Sequence, residues 1–231
     1  GTEVIEYRRG DSVEELKKKI AAVKVGDVLP GLLDGLVGPG DRVVCVCPID
    51  ESAPKGRLIL PQVQVLRDCL DHHVACSVCQ PSELFECLSC GLFELKGRLL
   101  VVTDSQSFGT VAQTLKHLNT QTVRLTSFSI LFARQKGDLD AYAKGLAAIR
   151  SLKDGDRVLV AEGCTHHRQC NDIGSVKIPK ALEKLSGRKL KFEFASGTDF
   201  PLSSSLSPLP SLVVQCGGCM LTRREVLRRI G

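Results

Sequence analysis

Two cysteine-bearing turns in the last third of the chain carry the residues best suited to chemistry. One is Cys164-Thr165-His166-His167, with Cys170 close behind. The other is Cys216-Gly217-Gly218-Cys219. Thiolate and imidazole donors at C-x-H and C-x-x-C spacing suit a metal ion or an iron–sulfur cluster. The two glycines between Cys216 and Cys219 let the backbone come close to an inorganic core. Thr222 and Glu225 make a T-x-x-E capping box just beyond. This turn therefore opens a helix, whose free N–H groups favour anionic thiolates. Cysteine is often buried, but CGGC is too small and polar to be a core turn. Cys164, His166, Cys216 and Cys219 could also supply a closed Cys3His zinc site. A thioredoxin-like redox pair is a third option for CGGC, though it leaves Cys164 and His166 unexplained. Spacing alone does not separate zinc from iron–sulfur.

Each turn follows an apolar run that reads as a buried strand, 157–161 before the first and 211–215 before the second. In parallel sheets, ligand sites form at the carboxyl ends of strands where the strand order reverses. Both turns can meet at such a place. Upstream, strands are expected at 43–47, 73–79, 98–102 and 122–125, alternating with helices at 61–71, 81–90 and 107–118. A second set comprises helix 138–150, strand 157–161, helix 177–185, strands 189–194 and 211–215, and helix 221–230. Strands apolar on both faces, alternating with helices, indicate an α/β fold. We expect two small Rossmann-like units with mainly parallel sheets, divided near residue 127. The Gly- and Pro-rich stretch 30–40 reads as a linker. Ser12 and Glu15 cap an amphipathic helix with Val13, Leu16, Ile20 and Val23 at helical spacing, behind a strand-like piece at 3–7.

Other clusters read as structure. Cys76 and Cys79 lie on an expected strand, where positions three apart face opposite sides. Cys87 and Cys90 lie on an expected helix. Only seven residues separate the two pairs, fewer than common zinc ribbons use. These four, with Cys45 and Cys47, are expected to be core cysteines. His72 and His73 end a helix, where a cation suits the dipole. Lys55 and Arg57 in the 48–57 loop lack the G-x-x-x-x-G-K-[ST] order that cradles phosphates. No such P-loop occurs in the 231 residues, and no nucleophile triad or carboxylate pair stands out.

Composition narrows the class. Aromatic residues make up 4% and the net charge is a mild +5, which argues against nucleic-acid binding on aromatic platforms. Arg223, Arg224, Arg228 and Arg229 read as a solvated helix face. No apolar run approaches the roughly 20 residues of a membrane span, so no membrane role is expected. The charged start shows no signal peptide. Eleven cysteines then fit a reducing compartment, the cytoplasm or an organelle matrix.

Six further segments carry a resemblance. They are PIDESAPKGRLILPQVQVLRDCLD (48–71), the turn TDSQSF (103–108), LTSFSILFARQKG (125–137), AEGCTHHRQCNDIGSVKIP (161–179), GTDFP (197–201) and CGGCMLTRRE from Cys216. Together they make the chain resemble the [FeFe]-hydrogenase maturation GTPases of the HydF type over nearly its whole length. The resemblance implies that residues 1–36 are the tail of a GTPase domain plus a linker. It makes 37–127 a dimerisation domain and 128–231 a [4Fe-4S] cluster domain, with the family pattern running on past Gly231. GTP would be handled only through the missing domain, and this chain is not expected to be catalytic alone. The resemblance makes Cys164, Cys216 and Cys219 the three thiolate ligands. His166 matches the labile fourth position, with Cys170 as its rival. Gly163 and Gln215 stand where the family often has histidine, which bears on hydrogen bonding around the ligands. The implied function is a scaffold and carrier. It would hold a transient diiron precursor and deliver it to apo-[FeFe]-hydrogenase, as a homodimer working with radical-SAM maturases. The rival expectation is a structural zinc or thiol-redox assembly module.

Overall fold

The computed structural model describes residues 5–8, 10, 12–22, 29–49, 55–89, 97–117, 123–163, 173–197, 200, 201, 208–216, 218 and 220–230. It divides into residues 1–30 and 31–231. In the first part, α1 (Val13–Ala22) begins where Ser12 Oγ accepts the Glu15 N–H at 3.4 Å. Val13 and Ile20, on the apolar face of α1, stay exposed. Residues 5–8 form no strand.

The second part holds two wholly parallel sheets. Sheet A has the order β2-β1-β3-β4, from β1 (Arg42–Val46), β2 (Ala75–Cys79), β3 (Leu99–Thr103) and β4 (Val123–Ser127). Sheet B has the order β6-β5-β7, from β5 (Arg157–Glu162), β6 (Lys191–Ser196) and β7 (Leu212–Gln215). The expected α/β class and paired Rossmann-like units are what the chain forms.

Period-two alternation explains sheet A. Val43, Cys45, Leu100 and Val102 face one core, with Val65 and Cys69 from α2 (Leu60–Asp71). Val44, Val46, Leu99 and Val101 face the other. Leu84 from α3 (Leu84–Ser89) and Val111 from α4 (Phe108–His117) complete that second core. Both faces are covered, as a parallel sheet requires.

Three features depart from the sequence reading. A helix, α5 (Phe128–Lys136), follows β4 directly, capped by Ser127 Oγ accepting from Ile130 N–H at 3.2 Å. Its Phe128, Leu131 and Phe132 are buried in the first core of sheet A, although they lie beyond residue 127. The stretch expected as a linker is folded in as well, with Leu32, Leu33 and Val37 in the same core. His73 does not begin the second strand. It takes the left-handed conformation (φ 54°) just after α2, and β2 starts at Ala75.

The 31–37 stretch is held by side chains. Leu33 N–H donates to Asp68 at 2.7 Å, and Arg134 on α5 donates to the Asp34 carbonyl at 2.6 Å. His72 bridges the Asp68 carbonyl at 2.9 Å and the Asp34 carboxylate at 2.8 Å. The histidine at the helix end thus serves the orphan carbonyls and also reaches a carboxylate across the loop.

Sheet B is flanked by α6 (Leu139–Ile149), α7 (Ile178–Ser186) and α8 (Arg223–Ile230). A π turn, Ile173–Lys177, leads into α7.

Candidate metal centre at the end of sheet B

β5 lies between its two partners. The chain runs from β5 to β6 on one side, and β7 then pairs on the other. The strand order therefore reverses between β5 and β7, the place where open α/β sheets build sites. The two strands are in register, Ala161 opposite Gln215. Cys216 continues the ladder by one bond, its N–H donating to the Ala161 carbonyl at 2.8 Å. Cys216 is outside any disulfide and partly exposed, just past the end of β7. The end of β5, Glu162 and Gly163, leads straight into the segment that carries Cys164. Cys164, His166, Cys170 and Cys219 themselves lie outside the described residues. Among the described residues no three His, Cys, Asp or Glu side chains stand together as a metal site.

The surroundings of Cys216 are cationic and built from several elements. Lys136, the last residue of α5, is buried and donates to the Gly218 carbonyl in the CGGC turn at 3.2 Å. Arg223, at the start of α8, donates to the Gln135 carbonyl at 2.7 Å. Arg229 is only 7% exposed. It donates to Gly197 at the end of β6 at 2.6 Å, and reaches the Glu162 carbonyl and Gln215 Oε1 at 3.5 Å each. One guanidinium thus ties together the carboxyl ends of all three strands. The expected solvated arginine face is corrected here: Arg229 points inward because it lies three residues from buried Val226 on the same helical stripe.

Two carboxylates complete the setting. Glu225 accepts from Arg228 and Arg229, and these bonds, Arg228 foremost, hold its carboxyl down to about 2. The expected capping box at α8 is half made. Thr222 Oγ1 accepts from Glu225 N–H at 3.3 Å, while the glutamate side chain turns to the arginines. Glu162 is 2% exposed, and the π turn lays Gly174 directly on its carboxylate.

The two departures from the family histidines have local causes. At Gly163 a Cβ would come within 2.7 Å of Leu221 Cγ, so the residues after the CGGC turn pack against bare backbone. Gln215 donates to the Cys216 carbonyl at 3.0 Å and faces Arg229. Gly218 takes φ +67°, a turn conformation that suits glycine. Half-buried thiol, bare backbone and buried cations are a donor environment that fits an anionic thiolate-bound cluster.

The other described cysteines, Cys45, Cys47, Cys69, Cys76, Cys79 and Cys87, pack in or against the two cores of sheet A, while Cys90 lies outside the described residues. Cys76 packs with the first core of sheet A while Cys79 sits in the second, on the opposite face. The Cys76 and Cys79 thiols therefore do not face a common site. Burial foremost pushes the Cys47 and Cys79 thiols up to about 12. Cys45 is driven upward too, by Cys76 Sγ 3.7 Å away and then by burial. Thiols so disfavoured as thiolates are poor ligands.

Comparison with known families agrees with the two-sheet division. A model described as the hydrogen maturase F dimerization domain matches residues 32–137. A model described as the hydrogen maturase F tetramerization domain matches residues 140–231. The chain belongs to the hydrogen maturase F family. No curated protein matches it. Its HydF modules meet between α5 and α6, and the stretch folded onto sheet A from Leu32 onward falls inside the first. Both matched models describe oligomerisation domains, and the family's business is hydrogenase maturation.

Lys136 and Arg229 were missed by sequence reasoning, yet a signal existed. Phe128, Leu131 and Phe132 define a helical stripe on which position 136, eight residues from 128, also falls. A lysine there is a buried cation by pattern.

Proposed function

We propose that this chain serves hydrogenase maturation as an iron–sulfur scaffold and carrier. Cys164, Cys216 and Cys219 would hold a [4Fe-4S] cluster, with His166 or Cys170 at the exchangeable fourth position. The observation that carries the reading is the Cys216 N–H bond to the Ala161 carbonyl. It sets Cys216 beside the end of β5, which supports the reading that thiolates following β5 and β7 serve one centre. The cluster, when bound, supplies an iron whose fourth ligand can be exchanged, and thus a place to dock cargo. Lys136, Arg223 and Arg229 balance thiolate charge. The cargo is a diiron precursor, taken from radical-SAM maturases and passed to apo-[FeFe]-hydrogenase. A ligand that must leave cannot be held like a structural one, so a weak fourth position suits a carrier. GTP hydrolysis is assigned to a nucleotide-binding domain outside this sequence.

Anaerobic reconstitution followed by iron and sulfide analysis tests this. About four irons and four sulfides per chain are expected for a [4Fe-4S] cluster, with a paramagnetic signal on reduction that Cys216→Ser abolishes. One zinc per chain with no iron uptake would overturn it in favour of a structural zinc module. His166→Ala and Cys170→Ala, compared by the same signal, identify the fourth ligand.

A further inference from the structure

We propose that Lys136 is a positioning residue for the thiolate turn, holding the Gly218 carbonyl and setting the charge felt by the Cys216 ligand. The proposal rests on the iron–sulfur reading above. It starts from an anomaly of placement. Lys136 is 9% exposed, and lysine is almost never buried without an answering group. Phe128, Leu131 and Phe132 on the same helix point into the core of sheet A, and Lys136 extends their stripe by one turn. Instead of reaching out to water, its ammonium crosses to the other sheet and donates to Gly218 at 3.2 Å. Its Nζ also lies 4.9 Å from the centre of the Phe132 ring, so the stem lies along apolar surface.

The contact is braced. Gly137 N–H closes the helix end onto the Ala133 carbonyl at 2.9 Å, and a Cβ at Gly137 would strike Tyr142 at 2.5 Å. Position 137 beside Lys136 therefore leaves no room for a side chain unless Tyr142 moves. Arg223 takes the neighbouring Gln135 carbonyl, so the end of α5 is tied both to Gly218 within the CGGC turn and to the start of α8 after it. The Gly218 carbonyl also accepts from Leu221 N–H at 3.0 Å, and Gly218 N–H donates to the Cys216 carbonyl, so the ammonium completes a set of bonds that fixes Gly218 beside the Cys216 ligand. A protonated Lys136, bonded two residues from Cys216, would add positive charge beside thiolate ligands. Net charge and exposure are among the factors that set cluster potentials, and a nearby cation favours the more negative, reduced state.

The test uses Lys136→Met, which keeps the length and apolar stem but loses the charge and the donor, with Lys136→Arg as the rescue variant and Lys136→Gln should methionine fail to fold. In the metal-free chain, amide hydrogen exchange across 215–221 is expected to quicken severalfold in Lys136→Met and to stay near wild type in Lys136→Arg. In reconstituted protein, a redox titration followed by the paramagnetic signal should show a lower midpoint potential in Lys136→Met. A tenfold shift in the reduced-to-oxidised ratio would read as 59 mV for one electron. Unchanged exchange and unchanged potential would overturn the proposal, as would equal changes in the arginine variant. If wild-type protein takes up no iron, the cluster reading fails, while the exchange measurement still decides whether Lys136 orders the turn.

Discussion

His72 shows how one side chain can fasten a segment that composition marks as loose. Its ring nitrogens meet the Asp68 carbonyl and the Asp34 carboxylate, and the Asp68 carbonyl foremost, then Asp34, raises its pKa. Asp34 in turn is lowered, chiefly by the Gly31 N–H and then by His72. Arg134 and Asp68 are the other charges facing this pair. A raised histidine pKa adds stability that is full below the unfolded value, about 6.5, and is lost as pH rises through the folded value. Asp34 adds stability that is present above the ordinary carboxylate range and lost on acidification. Urea midpoints of wild type and His72→Gln should therefore differ most near pH 6 and converge toward pH 8. A gap independent of pH across that range would rule out the charged link.

At the scale of elements, α5 carries the most consequence. It was illegible because Ser127 both ends β4 and caps the helix. No Gly or Pro marks the change of period, and the mixed stretch LTSFSILF from Leu125 to Phe132 does not by itself separate strand from helix. The strands of sheet A were legible for the opposite reason. β1 and β3 in particular are short apolar runs with alternate residues in opposite cores. The π turn had no legible signal, since Pro179 allows a helix to start where the extra residue actually sits. The meeting of β5 and β7 was legible from strand-end placement. Of the buried cations beside it, Lys136 was marked by the stripe of Phe128, Leu131 and Phe132, whereas the burial of Arg229 depends on which helix packs there. Truncating Phe132, 1% exposed, to alanine should cost about 3–5 kcal/mol, read as a lowered thermal midpoint. A loss near zero would mean that α5 is not part of the core of sheet A.

At the scale of the molecule, the two HydF modules present sheet edges. β2 and β4 border sheet A, and β6 and β7 border sheet B. On β2, Val78 is 49% exposed. Long-lived edges of this kind call for a covering partner. Light scattering at micromolar concentration is expected to give two or four times the mass of one chain. A monomer would count against assembly through these modules. Among the described residues no helix is long and apolar enough to cross a membrane.

The reach of Lys136 bears on how such a protein can evolve. Residues 32–137 and 140–231 match separate family models, as though the halves were interchangeable parts. Yet a recombination point between them leaves the lysine with one half and its carbonyl acceptor, Gly218, with the other. Chimeras of two relatives joined at 138–139 would inherit a mismatched pair unless both parents share this contact. The junction is a place where the halves must be selected together.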